Sequence, residues 1–374
     1  MQGPGDQLPS RGYVPHDAKS GVVHPNVKGY SKLAPESTGK QGREFLAADA
    51  TADPGRAAGG TGDAAPARQA TIGRRHLGRP RLLIIGCGDI GVRIVSRLGD
   101  RYRIVGAVHS LEGMARVRAA GGTPLRVDLD RLPSLARLAG LAERVLVLAP
   151  ASPSGERDGR SRRILAVLHR TARARLVYVS TTGVYGDRRG AWTDETTPPR
   201  PGNDRARRRL DAERRLRTSP WHACVLRVPG IYGPRRLPIE RLRQGLAVPL
   251  PEQDVMTNHV HSEDLARICI AAVHRGAPAR CYNAVDQSAL ALGQYLDRVA
   301  DFAGLPRPPR LPWEQLQASV GPQRMSFLEE SRRLRNQRLK RELRVRLRFP
   351  DVDAGLAAMR AAAPQASNSP STDR

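Results

Sequence analysis

The chain has 374 residues, enough for one large domain or two and for a sizeable core. It carries 62 Lys and Arg against 36 Asp and Glu, a formal charge of +26, yet no apolar run approaches the length that spans a bilayer. These features argue against a membrane protein, and the lack of an apolar signal core near the N-terminus points to a cytoplasmic one. The charge is almost entirely Arg, since residues 41–339 contain no Lys. That reads as a bias across the whole chain. Any nucleic-acid binding is therefore expected to be weak and non-specific. Cys87, Cys224, Cys269 and Cys281 form no C-x-x-C pair and read as buried thiols, so no metal site is expected.

In chain order, residues 1–78 are rich in Gly, Ala, Pro, Ser and Thr with no sustained apolar period, and are expected to be a disordered tail. From residue 79 to 361 strands and helices alternate. Arg81–Ile85 reads as a buried strand and Val92–Leu98 as the helix after it. Strands are further expected at Arg103–Val108, Pro124–Val127, Val145–Leu148, Leu176–Ser180 and Ala223–Val228. Helices are expected at Leu111–Ala120, Leu132–Leu141, Arg162–Ala174 and Arg205–Arg217. Beyond them lie the helices Ile239–Gly245, Leu265–His274 and Leu292–Ala303, then a basic helix near Glu329–Leu343 that buries Leu334, Leu339, Leu343 and Val345. The fold class is α/β: a Rossmann-like, doubly wound parallel sheet with a small C-terminal lobe from roughly 235 to 361. Residues 362–374 read as a second tail.

The chain is organised around Gly86-Cys87-Gly88-Asp89-Ile90-Gly91, a G-x-G-x-x-G turn between strand and helix. In this context Gly86 permits the tight turn, Gly88 admits a pyrophosphate, and Gly91 lets helix and strand approach. The cofactor-binding set expected around the turn is Gly86, Gly88, Asp89, Ile90 and Gly91, with Leu148, Ala149 and Pro150 after the fourth strand and Val228 after the sixth. The second strand ends in His109 and Ser110 rather than a carboxylate, and Arg116 follows. This favours NADP, with NAD left open. Asp128 is placed to reach the adenine. Ser110 equally reads as a helix cap, and Asp128 as a strand terminator.

Later segments resemble the extended short-chain dehydrogenases, the NAD-dependent epimerase/dehydratase family. Ser180-Thr181-Thr182-Gly183-Val184-Tyr185-Gly186 is similar to their S-S/T-x-x-V-Y-G segment, and Asp194-Glu195 with Pro198-Pro199 to their D-E-x-x-P loop. Arg227 through Pro234 resembles R-x-x-x-I-Y-G-P. Asn258 through Leu265 resembles R-x-I-H-V-x-D-L, and Tyr282-Asn283 the Y-N strand. The family's catalytic Tyr-x-x-x-Lys is missing. Aligned on Ala212-Glu213, its positions hold Arg205 and Arg209, as in an atypical subgroup. The resemblance places Thr181 at the family's substrate-polarising hydroxyl.

The catalytic candidates are thus Thr181, Tyr185, Arg205 and Arg209. Tyr232, His261 and Asp194 stand as substitute proton donors, and Tyr185, Tyr232 and His261 equally as packing residues. Arg205, Arg209, Arg235 and Arg236 could clamp an anion, for instance a nucleotide-sugar diphosphate. An arginine cannot replace the tyrosine as acid/base, because guanidinium stays protonated. The leading expectation is an NAD(P)-binding oxidoreductase or epimerase for a small, polar or anionic substrate, with a homodimer left open. Its alternative is a non-catalytic NAD(P)-binding redox sensor or regulator.

Overall fold

The computed structural model describes residues 78–168, 175–319 and 329–362. The expected tails 1–78 and 362–374, except for Gly78 and Ala362, lie outside the described residues. From Arg81 the elements are β1 (Arg81–Ile85), α1 (Asp89–Leu98), β2 (Arg103–Val108), α2 (Leu111–Ala119), β3 (Thr123–Arg126), α3 (Leu132–Ala136), β4 (Arg144–Val147), α4 (Gly159–Leu168) and β5 (Arg175–Thr181). Then come β6 (Trp192–Thr193), α5 (Asp204–Arg217), β7 (His222–Val228), β8 (Gly230–Tyr232), α6 (Ile239–Arg243), β9 (Val248–Pro249), β10 (Met256–Thr257), β11 (His259–His261), α7 (Ser262–Arg275) and β12 (Cys281–Asn283). The last described elements are β13 (Leu290–Ala291), α8 (Leu292–Ala303), β14 (Arg310–Leu311), α9 (Trp313–Ser319), β15 (Arg333–Leu334), α10 (Gln337–Glu342) and α11 (Val352–Ala361).

Seven strands form one sheet in the order β3-β2-β1-β4-β5-β7-β12, and each neighbouring pair is parallel. The direction of winding reverses between β1 and β4. In such sheets the crevice outside the carboxyl ends at the reversal is where a ligand fits. Burial follows the period of two along a strand. Leu82 and Ile84 pack to one side with Ile94 and Val95 of α1 and Leu265 and Ile268 of α7. Leu83 and Ile85 pack to the other with Ile164 of α4 and Ala212 and Leu216 of α5. Leu82, Leu83, Ile84 and Ile85 are each 0% exposed, and each such side chain contributes about 1.5–3 kcal/mol of burial free energy. A smaller core gathers Tyr232, Leu242, Val248, Leu296, Val299, Val352 and Leu356. The four cysteines are free and buried.

Three expected elements differ. The helix after β3 stops at Ala136, five residues early, and turns replace the remainder. The helix expected at Arg162–Ala174 begins earlier, at Gly159, and is described to Leu168; residues 169–174 are outside the described residues. The basic helix expected near Glu329–Leu343 is helical only over α10. Its first half is extended because the Asn258 amide reads the backbone on both sides. Nδ2 donates to Arg332 O at 3.0 Å, and Oδ1 accepts from Leu334 N at 2.9 Å. β15 then pairs with β6. The expected buried residues Leu334, Leu339, Leu343 and Val345 are nonetheless buried.

Candidate functional site

The glycine turn sits at the β1–β4 reversal, and each glycine answers a separate constraint. Gly86 has φ +81°, and a Cβ there would lie 2.6 Å from the Ala149 backbone nitrogen. Neighbouring strands hold this turn closely. Gly86 N and Cys87 N both donate to Ala107 O at 3.0 Å, and Leu148 N and Ala149 N donate to Ile85 O. Gly91 brings α1 onto β1, since a Cβ would lie 2.8 Å from Cys87 Sγ and 3.3 Å from Ile84 Cγ2. Gly88 is the opposite case: a Cβ there would meet nothing within 4 Å. It caps α1 without any side-chain hydrogen bond. The Ile90 side chain is buried in the core, so Ile90 offers the crevice its backbone.

Beside the turn lies a cleft of about 300 Å³, lined among others by Gly86, His109, Asp128, Ala149, Pro150 and Arg160. Sequence reasoning named all of these except Arg160, which donates to Asp130 at 2.9 Å. Ser110 caps α2, its Oγ accepting from Gly113 N at 3.0 Å. Arg116 is tied to Glu112 at 2.9 Å on the exposed face of the same helix. Asp128 also has a local role, because its Oδ1 accepts from Asp130 N at 2.9 Å. Leu148 joins β4 to β1, and Val228 is buried opposite Thr181 in the β5–β7 register.

Thr181 ends β5, half-buried, with Oγ1 accepting from Gly183 N at 3.2 Å. As acceptor in that bond the hydroxyl keeps its own proton for another partner. Arg209 reaches from α5 to the end of β4. Its Nη1 donates to Ala149 O at 3.1 Å and to Tyr178 Oη at 2.8 Å. Tyr178 had no motif to announce it. Arg205 lies one turn earlier on the same face. Partial burial and the charges of Arg209 and Arg208 lower its pKa. Arg208 is buried and ties the loop after β4 to α5, donating to Gly155 O at 2.8 Å and Pro153 O at 3.3 Å.

The remaining proton-donor candidates are engaged elsewhere. Tyr185 is fully buried, and its hydroxyl donates to Asn283 Oδ1 at 2.8 Å. Burial pushes its pKa upward against the Arg227 charge. The Tyr185 hydroxyl is thus held inside the fold by Asn283 rather than opening onto the cleft beside the glycine turn. Tyr232 donates to Asp351 O at 2.9 Å. His261 accepts from Glu263 N at 3.2 Å as the cap of α7, and burial lowers its pKa. The Asp194 carboxylate accepts from the Thr196 hydroxyl and Thr196 N, which hold its pKa low, so it stays ionised. Of the expected anion clamp, Arg236 is paired with Asp89 at 2.7 Å.

Much of the recognised sequence pattern is a buried frame beneath the site. Arg227 pairs with Glu213 at 2.7 Å, each side chain 1% exposed. The Arg227 guanidinium also lies over the Tyr185 ring at 4.6 Å. Asn283 continues the frame, its N–H donating to Glu195 Oε1 at 2.8 Å and its amide to Arg335 O at 3.1 Å. These contacts link α5, β7, the turn after β5 and β12.

Fold and site together define a Rossmann-type scaffold with a glycine turn at the sheet reversal and the arginine-bearing helix α5 beside it. The sequence model of the NAD dependent epimerase/dehydratase family matches residues 82–284, more than half of the chain, and the chain belongs to that family. Protein YeeZ of Escherichia coli K12 is 27% identical over 242 residues, which covers 61% of this chain and 85% of YeeZ. A conserved protein of unknown function from Silicibacter pomeroyi DSS is 32% identical, with a TM-score of 0.66 over 75% of this chain and 98% of its own. A candidate NAD-dependent epimerase/dehydratase from Methylobacillus flagellatus is 28% identical, with a TM-score of 0.59 over 76% and 99%. Among the described residues no helix is long and apolar enough to cross a membrane.

Proposed function

We propose that the chain binds a nicotinamide dinucleotide across the β1–β4 reversal and uses it on a small, polar, anionic carbonyl or hydroxyl substrate. It would act as an oxidoreductase or epimerase with a non-standard active site. The glycine turn carries this reading. Gly86 and Gly91 are forced by close approach, whereas at Gly88 the space is open, as a pyrophosphate requires. Membership of a family described as NAD dependent supports it. NADP is the proposed cofactor, because His109 lines the cleft and no carboxylate ends β2. The first turn of α1 would hold the pyrophosphate, and Asp128, Ala149 and Pro150 the adenosine and ribose side.

The nicotinamide would supply or accept hydride. Thr181 would donate its free proton as a hydrogen bond to the substrate oxygen. Arg205 and Arg209, both permanently charged and spaced four residues apart on α5, would bind an anionic group such as a diphosphate. Two observations favour a second reading, a non-catalytic redox sensor. Tyr185 is sealed in the frame, and the aligned Tyr and Lys positions hold arginines.

Deuteride transfer from labelled NADPH and NADH to a panel of carbonyl compounds tests these readings. The comparison is wild type against Arg205→Tyr/Arg209→Lys. Transfer by wild type that the double variant loses supports the clamp. A gain of about 10²-fold or more in the variant contradicts it, because that is what a restored general acid supplies. Bound cofactor without transfer in either protein favours the sensor, and absence of binding sinks both readings.

A further inference from the structure

We propose that Arg236, delivered from the segment after β8, completes the phosphate end of the cofactor site by neutralising Asp89. This rests on the dinucleotide reading above. Asp89 is the first residue of α1, directly after Gly88. A carboxylate there favours the helix itself. It also stands where a pyrophosphate would seek the same N–H groups, and the two anions repel. Protonation does not remove this conflict. Burial raises the Asp89 pKa, but hydrogen bonds and charge from Arg236 and Arg93 outweigh it and hold the carboxylate ionised.

Two arginines touch Asp89, and they are not equivalent. Arg93 donates to Oδ1 at 3.1 Å but also pairs with Glu263, which takes Arg97 as well. Arg236 donates to Oδ2 at 2.7 Å, and among the described residues it shares no ion pair with another carboxylate. Three guanidiniums therefore face two carboxylates, and Arg236 supplies the excess positive charge. The bridge joins positions 147 residues apart in sequence. The turn that carries it is closely determined. Arg236 N donates to Gly233 O at 3.0 Å. Gly233 has φ +137°, and a Cβ there would lie 2.5 Å from Ser262 Oγ. The paired side chains are 31% and 41% exposed. A bridge so exposed contributes little to folding by itself. Its consequence is for an arriving anion.

NADPH and NADH titrations of the full-length chain test the inference, using wild type, Arg236→Ala, Arg236→Lys, Asp89→Asn and Arg236→Ala/Asp89→Asn. Arg236→Ala is expected to weaken binding roughly tenfold, the effect of one uncompensated charge at a partly exposed site. Its melting temperature should stay close to that of wild type. Arg236→Lys should recover part of the loss. Asp89→Asn should bind at least as well as wild type, and the double variant should recover most of the affinity. Wild-type affinity in Arg236→Ala overturns the inference while leaving the cofactor reading intact. A loss that persists in the double variant overturns it too, because Arg236 would then act without Asp89. A wild type that binds neither dinucleotide overturns the cofactor reading and this inference with it.

Discussion

The glycine turn before α1 and the middle of α5 meet at one residue, Ala149, and obey different constraints. A Cβ on Gly86 would strike the Ala149 backbone, and Arg209 donates to the Ala149 carbonyl. At the turn, Gly86 and Gly91 are dictated by the distance to a neighbour, and Gly88 stands where the space is open. On α5 the scaffold contacts persist: Asn203 caps the helix through Ala206 N, and Glu213 holds Arg227. On the same helix, Arg205 and Arg209 stand at the positions that the family resemblance aligns with a Tyr and a Lys. We propose that the frame and the chemistry of this fold are separable, because different side chains of α5 hold the frame and face the glycine turn.

The largest expected effect lies in the frame. Glu213→Ala would leave Arg227 buried without its counter-ion, and breaking a buried pair costs about 3–5 kcal/mol. Denaturant unfolding measures this. A loss below about 1 kcal/mol would show that the pair does not anchor α5 to β7, and the separation of frame from chemistry would fail.

A smaller, pH-dependent effect calibrates the contrast away from both regions. Burial lifts the Asp286 carboxyl from an ordinary 3.8 to about 7, against the hydrogen bonds from Ser288. Between these values the folded chain holds a proton that the unfolded chain has released. Stability contributed by this group therefore falls as pH rises through that window. Asp286→Asn should flatten that part of the decline in melting temperature. An unchanged slope between the two proteins would assign the dependence to other groups.

The sheet was legible because its strands are apolar runs separated by amphipathic helices, as in Leu82–Ile85 followed by α1. The turn between β1 and α1 was legible because its glycine spacing records backbone distances. Other features were not. The extended path of Arg332–Leu334 is set by Asn258, some 74–76 residues away in sequence. Tyr185 carries a family motif, and that motif could not say whether the hydroxyl faces substrate or Asn283. Tyr178 and Arg160 enter the site through tertiary proximity, on a strand and a helix whose periodicity records burial rather than chemistry. Arg236 was expected to meet substrate, and its pairing with Asp89 depends on where the turn after β8 is aimed.

We propose that the glycine turn binds a dinucleotide although Arg205 and Arg209 stand at the positions aligned with the family's Tyr and Lys. Calorimetric titration of NADPH into wild type and Gly88→Val, with melting curves for both proteins, tests it most directly. Open space at Gly88 means that the valine should leave the fold nearly unaffected and occupy the place of the pyrophosphate. The predicted result is binding by wild type, a loss of about 100-fold or more in Gly88→Val, near 2.7 kcal/mol, and similar melting temperatures. Equal affinity in the two proteins would contradict the account.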